Sequence, residues 1–446
     1  MFELHLGPKW ARARLTDGSP FAVKSEDPEV LLPSNAVSVL AVSLALHRDA
    51  LQTSDGIVLR CFAPESMLPA QYRLTRANGE WTSNFGERLT FGRDGFPENL
   101  EIPDKQVHVR RLREILPPRT RLRASTEGAK SMPMPLGKRD RQFAFSGPDG
   151  RVFGTIGFPP KEKDVRAAVL FLGGSGVFDR EGRTAQGFDI GYSRLYSAFA
   201  DHGFVTARYD KPGAGETPQS RSMERHYDAV VETAACAYQR LQKLTELSAV
   251  PKVIVGHSEG GLAALELAGR FDPACFALLA TAAMPLDKLI VDQVRRQLRR
   301  TRTPQRVQQS TLLELEDFFE TVRRDVPWEK ESMSGTMYLK RRSRTWYQEI
   351  LSRNPVELIR SVTAPLVIAQ GGRDIQVPPG DAITLATAAQ SQGLTVTVLS
   401  FPDLDHFFRK VREEDPAERY WDRRRRFDRA AAGSIAQAIL KTLSGL

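Results

Sequence analysis

Six short runs of apolar residues govern what this chain can fold into. They are Ala167–Leu172 (AAVLFL), Phe204–Tyr209 (FVTARY), Val253–Val255 (VIV), Phe276–Ala280 (FALLA), Leu366–Ala369 (LVIA) and Val396–Leu399 (VTVL). Runs of this length suit strands, and their apolar character on both faces requires cover above and below. Strands of that kind belong in a parallel sheet sandwiched between helices. The intervening stretches read as helical, so the alternation predicts an α/β architecture from about residue 139 onward.

Two regions depart from this rhythm. Residues 1–138 read as a β-rich accessory domain, with strands expected at Ile57–Phe62, Tyr72–Thr75, Trp81–Phe85 and Arg88–Phe91. Asn78-Gly79 supplies a hairpin turn between the second and third of these. Glu127–Lys138 (EGAKSMPMPLGK) has the composition of a linker. Residues 285–355 are helical and charged, and they fall between two core strands. There Leu312, Leu315, Phe319 and Val322 recur at helical spacing, and Thr311 with Glu314 makes a capping-box start. The expectation is a helical cap inserted between core segments 139–284 and 356–446. Ala430–Leu443 then closes the chain as an amphipathic helix that docks Ile435, Ile439, Leu440 and Leu443 on the sheet.

Composition removes several function classes. A chain of 446 residues, 41% apolar and 26% charged, is neither disordered nor fibrous. Its three cysteines, Cys61, Cys236 and Cys275, are too few and too separated for a disulfide framework, which points to a reduced, cytoplasmic compartment. No Cys/His cluster has metal-ligand spacing, so no metal is expected. The longest apolar run, Ala36–Leu46, is too short to cross a bilayer, and MFELHLGPKWARAR lacks the order of a signal peptide. The net charge of +9 comes from clusters such as Arg295-Arg296, Arg299-Arg300, Arg341-Arg342 and Arg423 to Arg426, with acids interspersed. That pattern fits solvated helix faces better than a nucleic-acid surface.

The sharpest chemical signal is Val253-Ile254-Val255-Gly256-His257-Ser258-Glu259-Gly260-Gly261-Leu262. A strand, G-x-S-x-G and a helix follow one another. This is the order needed to hold a serine out at the carboxyl edge of a sheet, with Gly256 and Gly260 bare because the turn presses them on neighbouring backbone. Serine needs a base to act as a nucleophile. Of the seven histidines, only His406 lies beyond Ser258, just past the last strand; His5, His47, His108, His202 and His226 precede it, and His257 sits inside the turn facing away. Asp374, in the loop after Leu366–Ala369, is placed to orient such a histidine, with Asp381, Asp403 and Asp405 as competitors. Backbone N–H groups of Glu259 and Ser175, the latter in the loop Gly174-Ser175-Gly176, are the expected oxyanion donors.

These motifs match a family. Gly173-Gly174-Ser175-Gly176 with Asp179-Arg180-Glu181-Gly182, Arg208-Tyr209-Asp210-Lys211-Pro212-Gly213-Ala214-Gly215, Gly256-His257-Ser258-Glu259-Gly260-Gly261, Gly372-Arg373-Asp374 and Asp405-His406 occur in that order. The set resembles the α/β-hydrolase superfamily, more narrowly its bacterial esterase and serine-aminopeptidase-like branch, over residues 140–446. The resemblance implies Ser258 as nucleophile, His406 as base, Asp374 as acid, an acyl-enzyme intermediate and no cofactor. The expected substrate is a small-molecule acyl ester. A thioesterase, peptidase or acyltransferase with the same residues is an alternative, and a non-catalytic binding protein on a hydrolase fold is a rival of another class. Gly174, Gly176, Phe318, Phe319, Trp328, Trp346 and Tyr347 are candidates for the substrate pocket, although the aromatic ones serve equally as the insertion's own core. The sequence leaves the oligomeric state open.

Overall fold

The computed structural model describes residues 3–7, 10–14, 20–24, 30–31, 56–63, 68–77, 80–83, 88–91, 97–102, 107–110, 136–176, 178–183, 189–218, 226–300, 305–324, 344–412 and 425–445. Two compact units divide the chain. The first holds Met1–Thr126 and Val294–Arg341, and the second holds Glu127–Gln293 and Arg342–Leu446.

The second unit is built on eight strands: β1 (Asp140–Gln142), β2 (Gly154–Gly157), β3 (Ala167–Leu172), β4 (Phe204–Tyr209), β5 (Lys252–His257), β6 (Cys275–Leu279), β7 (Leu366–Gly371) and β8 (Val396–Phe401). They pair in the order β1-β2-β4-β3-β5-β6-β7-β8. Strand β2 runs antiparallel to both of its neighbours, and every pairing from β4 to β8 is parallel. Each apolar run of the sequence lies in one of these strands, except that Ala280 falls just after β6. The reason is burial: every residue of β3, β6 and β7 is buried, as continuous Val, Ile, Leu and Phe require. Full burial of one such side chain stabilises the fold by about 1.5–3 kcal/mol. Strands β1 and β2 carry no such run; Asp140-Arg141-Gln142 is mostly exposed at the sheet's edge.

Helices α1 (Tyr192–Asp201), α2 (Tyr227–Gln242), α3 (Glu259–Ala268), α6 (Arg344–Leu351), α7 (Asp381–Gln390) and α8 (Arg429–Ser444) belong to the same unit. Helix α4 (Leu286–Arg300) contains the boundary between the units, and α5 (Gln305–Arg323) lies in the first. Small residues decide how closely α3 approaches the sheet. Buried Gly260, Gly261, Ala263 and Ala264 line its inner face, and a Cβ at Gly261 would strike the Thr281 side chain. Helix α8 buries Ala431, Ala432, Ile435, Ala436 and Ile439, while Leu440 and Leu443 are only half-buried. Asp428 caps α8 by accepting from the Ala431 N–H at 3.0 Å.

In the first unit, Leu68–Ala77 pairs antiparallel with Glu80–Ser83, Ala77 lying opposite Glu80, and the expected turn residues Asn78 and Gly79 lie outside the described residues. The pair belongs to a seven-stranded sheet, and Glu3–Gly7, Trp10–Arg14 and Pro20–Lys24 form a second, three-stranded one. Helix α5 starts six residues before the expected Thr311 cap, at Gln305. Gln305 to Ser310 are all residues a helix tolerates, so once nucleated it propagates through them. Its buried face is Leu315, Phe318, Phe319 and Val322. No helix among the described residues is long and apolar enough to cross a membrane.

Candidate active site

The carboxyl ends of β3, β5, β6, β7 and β8 bring the sequence-predicted residues toward one edge of the sheet. Register sets this up: Leu172 of β3 and Leu278 of β6 both lie opposite Gly256, and Gly371 of β7 lies opposite Phe401 of β8. Ser258 follows β5 directly and precedes α3. Its backbone sits at φ 55°, ψ −119°, where a side chain costs about 1–3 kcal/mol. Two contacts hold it there. The Ser258 N–H donates to the Leu279 carbonyl at 2.8 Å, and the Ser258 carbonyl accepts from the Gly261 N–H at 2.9 Å. The turn is so tight that a Cβ on Gly256 would strike the Gly260 carbonyl, and one on Gly260 would strike the Leu172 carbonyl. The Ser258 side chain is half-buried and open to a reactant.

His406 and Asp374 meet across the next two loops. The His406 Nδ1–H donates to Asp374 Oδ2 at 2.8 Å, with both side chains nearly inaccessible to solvent. Gln370 Nε2 donates to the same carboxylate oxygen at 2.9 Å, and the N–H groups of Gln376 and Val377 donate to Oδ1 at 2.7 and 2.9 Å. Four donors therefore fix the carboxylate. The competing acids do other work. Asp381 accepts from the Ala283 N–H at 2.8 Å, and Asp403 is exposed. Asp405 accepts from the Phe407 and Arg409 N–H groups and pairs with the Arg409 guanidinium at 2.9 Å, which fastens the histidine loop.

His257 is buried, and its partners could not be read from the sequence. Its Nε2 lies 2.9 Å from the His406 carbonyl and its Nδ1 2.8 Å from the Tyr192 hydroxyl. A carbonyl only accepts, so Nε2 carries the proton and Nδ1 receives the Tyr192 O–H. Tyr192 in turn accepts from the Gly174 N–H at 3.2 Å. Burial, more than the neighbouring His406 charge, pushes the His257 pKa down to about 3, so the ring is neutral.

The loop after β3 lies against Ser258. A Cβ on Gly174 would sit 3.4 Å from the Ser258 Cβ and 3.0 Å from His257 Nδ1. Ser175 and Gly176 are exposed, and Gly176 adopts a φ of 107°. The Glu259 amide opens α3, at the end where helix N–H groups point outward and favour negative charge. Behind this loop, buried Arg180 is bound by Asp210 through Nε at 3.0 Å, and the Arg180 N–H donates to the same carboxylate at 2.7 Å. The Glu216 N–H donates to the other Asp210 oxygen at 2.8 Å.

The remaining candidates are dispersed. Trp346 and Tyr347, on α6, are buried with their rings 5.0 Å apart, and Trp346 meets the Tyr227 ring of α2 edge-on at 6.1 Å. Phe318 and Phe319 lie in the first unit, in edge contact at 5.2 Å on α5. His202 stays near the end of α1, Nδ1 2.7 Å from the Ala198 carbonyl, and His226 pairs with Glu349 at 2.8 Å. His47 and Trp328, and the side chains of His5 and His108, lie outside the described residues.

Part of the chain is similar to known hydrolases. The family described as Serine aminopeptidase, S33, a hydrolase family, matches residues 190–409. Esterase EstD of Thermotoga maritima is 26% identical over 254 residues, covering 55% of this chain and 56% of that protein, so the match spans little more than half of its length. Among solved structures, the esterase domain of a Rhodothermus marinus protein is 15% identical with a TM-score of 0.40, covering 68% of this chain and 96% of that one. Est1E from Butyrivibrio proteoclasticus is 10% identical with a TM-score of 0.43, covering 68% and 99%. With its β1-β2-β4-β3-β5-β6-β7-β8 sheet and its strand–serine–helix turn, the chain has an α/β-hydrolase fold, and over residues 190–409 it is similar to the serine aminopeptidase family.

Proposed function

We propose that the chain hydrolyses carboxylic esters through Ser258, His406 and Asp374. The observation that carries this reading is the buried 2.8 Å bond between His406 and Asp374, made in the loops that adjoin the Ser258 turn. With Nδ1–H given to Asp374, the basic nitrogen of His406 is Nε2. That nitrogen takes the Ser258 hydroxyl proton as Oγ attacks the ester carbonyl. The Ser175 and Glu259 N–H groups stabilise the oxyanion, and the proton passes to the departing alcohol as the C–O bond breaks. Water then attacks the acyl-enzyme, losing its proton to His406; the bond from the acyl carbon to Ser258 Oγ breaks, Oγ takes the proton back from His406, and the acid leaves. Asp374 orients His406 and supports the imidazolium. The fold, the similarity to Esterase EstD and the matched region all support an ester substrate of small size.

A fluorophosphonate probe tests the reading, because it phosphonylates an activated serine. The expected result is stoichiometric labelling of the wild type, no labelling of Ser258→Ala, and turnover of short p-nitrophenyl esters. A well-folded wild type that stays unlabelled would overturn it. Parallel panels of acyl-CoA thioesters and aminoacyl nitroanilides report whether the acyl group is taken from sulfur or nitrogen instead.

A further inference from the structure

Lys211 reaches from the turn after β4 to two of the elements around Ser258. Its Nζ donates to the Gly174 carbonyl and to Glu259 Oε2, the latter at 2.9 Å. Its side chain is 19% exposed and that of Glu259 9%, so the pair is largely sheltered from water. The base from which Lys211 projects is rigid. Asp210, immediately before it, is fully buried and bound by Arg180 and by the Glu216 N–H, while Pro212 and Gly213, at φ 80°, shape the turn after it.

The peptide that Lys211 grips is the one that matters for an oxyanion. Among the described residues no peptide bond is cis, so the Gly174 carbonyl and the Ser175 N–H point in opposite directions from one planar unit. A cation that pulls the carbonyl one way aims the amide the other way. The N–H of Gly174 is meanwhile held by Tyr192. Residue 174 is thus gripped on both its amide and its carbonyl, within van der Waals reach of Ser258. Glu259 completes the link, since its carboxylate anchors Lys211 and its backbone supplies the other expected donor.

We infer that Lys211 is a positioning residue that sets the direction of the Ser175 amide and couples it to the Glu259 amide across the nucleophile. This rests on the hydrolase reading above and adds to it a residue that touches neither substrate nor reacting atoms. A peptide free to rotate would still admit substrate but would bind the tetrahedral oxyanion less well. The loss therefore falls on kcat, not on KM.

The test compares full-length wild type, Lys211→Met, Lys211→Arg and Glu259→Gln on the best p-nitrophenyl ester, with a boronic acid as a mimic of the tetrahedral adduct. For Lys211→Met, kcat should fall about 10–100-fold, less than the loss of a whole oxyanion donor. KM should stay within about two-fold while the boronic acid inhibition constant rises by the same factor as kcat falls. Lys211→Arg, which keeps a cationic donor, should recover most of kcat. If the Met variant does not fold, Glu259→Gln should show the same split at smaller size. Unchanged kcat in a folded variant, or a parallel fall of kcat, KM and melting temperature with no rescue by Arg, would overturn the inference alone. A wild type that neither labels with fluorophosphonate nor turns over ester removes the hydrolase reading, and this inference with it.

Discussion

The loop after β5 and the loop after β8 both force a non-glycine residue into the left-handed region, Ser258 at φ 55° and Phe408 at φ 53°, but the second adds buried side-chain bonds to the main-chain ones. The serine turn is fixed by main chain. Its bonds run from the Ser258 N–H to Leu279 and from the Gly261 N–H to Ser258, and bare glycines let strand and helix touch. The histidine loop has main-chain bonds too, from the Phe408 N–H to the Asp405 carbonyl at 2.9 Å and from the Asp428 N–H to the Phe408 carbonyl at 2.7 Å, and it adds side chains to them. The Asp405 carboxylate gathers two backbone N–H groups and the Arg409 guanidinium, both side chains without solvent exposure, and the Phe408 ring stacks on Phe427 at 5.1 Å. A main-chain lock is stiff and tolerates no added atom. A side-chain lock can be loosened one group at a time, and it is the one that carries the proposed base.

Removing charge from the histidine side gives the largest effect. Asp374→Asn should lower kcat about 10⁴-fold, equivalent to about 5.5 kcal/mol of barrier, because the amide favours the wrong tautomer of His406 while leaving the geometry in place. Steady-state kinetics with unchanged circular dichroism would check this; a loss under ten-fold would mean that the carboxylate is not orienting the base. Asp405→Asn strikes the lock itself. Removing the carboxylate from its buried pair with Arg409 should cost about 3–5 kcal/mol of stability, read from the urea midpoint. If the loss is under about 1 kcal/mol, the histidine loop is held by its backbone after all and the contrast fails.

A pH series sharpens the comparison at the junction of the two loops, where His257 of the serine turn meets the His406 carbonyl. Burial holds the folded pKa of His257 at about 3, against 6.5 for the free ring. As pH falls below 6.5 the unfolded chain takes up a proton that the folded chain refuses. This contribution to stability is therefore full above about pH 6.5 and is lost progressively toward pH 3. Between pH 6 and 4 the wild type should lose about 1.4 kcal/mol per pH unit more than His257→Gln. Parallel slopes for the two proteins would show that the ring is solvated.

The same contrast explains what could be read from the sequence. The β3, β6 and β7 runs were legible because strands buried on both faces must be apolar throughout, and the serine turn because close main-chain approach leaves only glycine. Strands β1 and β2 were not: Asp140-Arg141-Gln142 is an exposed edge strand whose pairing to Gly157, Ile156 and Thr155 leaves no hydrophobic pattern. Lys211 was visible only as a letter in a motif, because its partners, Gly174 and Glu259, lie 37 and 48 positions away. Tyr192 and His257 meet at a separation of 65 for the same reason. The start of α5 was misplaced at Thr311 because a capping residue inside a helix-tolerant stretch does not stop propagation.

One consequence follows from the hydrogen bonds that run from the Gly174 amide through Tyr192 and His257 to the His406 carbonyl. Both terminal groups are main chain, one able only to give and the other only to receive, so the polarity of the whole relay is dictated from its ends. His257 can neither switch tautomer nor accept charge without breaking a link. In the proposed reaction His406 becomes an imidazolium with its ring centre 4.9 Å from that of its neighbour. The neighbour then offers no rival proton sink, and the proton taken from serine is left for the departing alcohol.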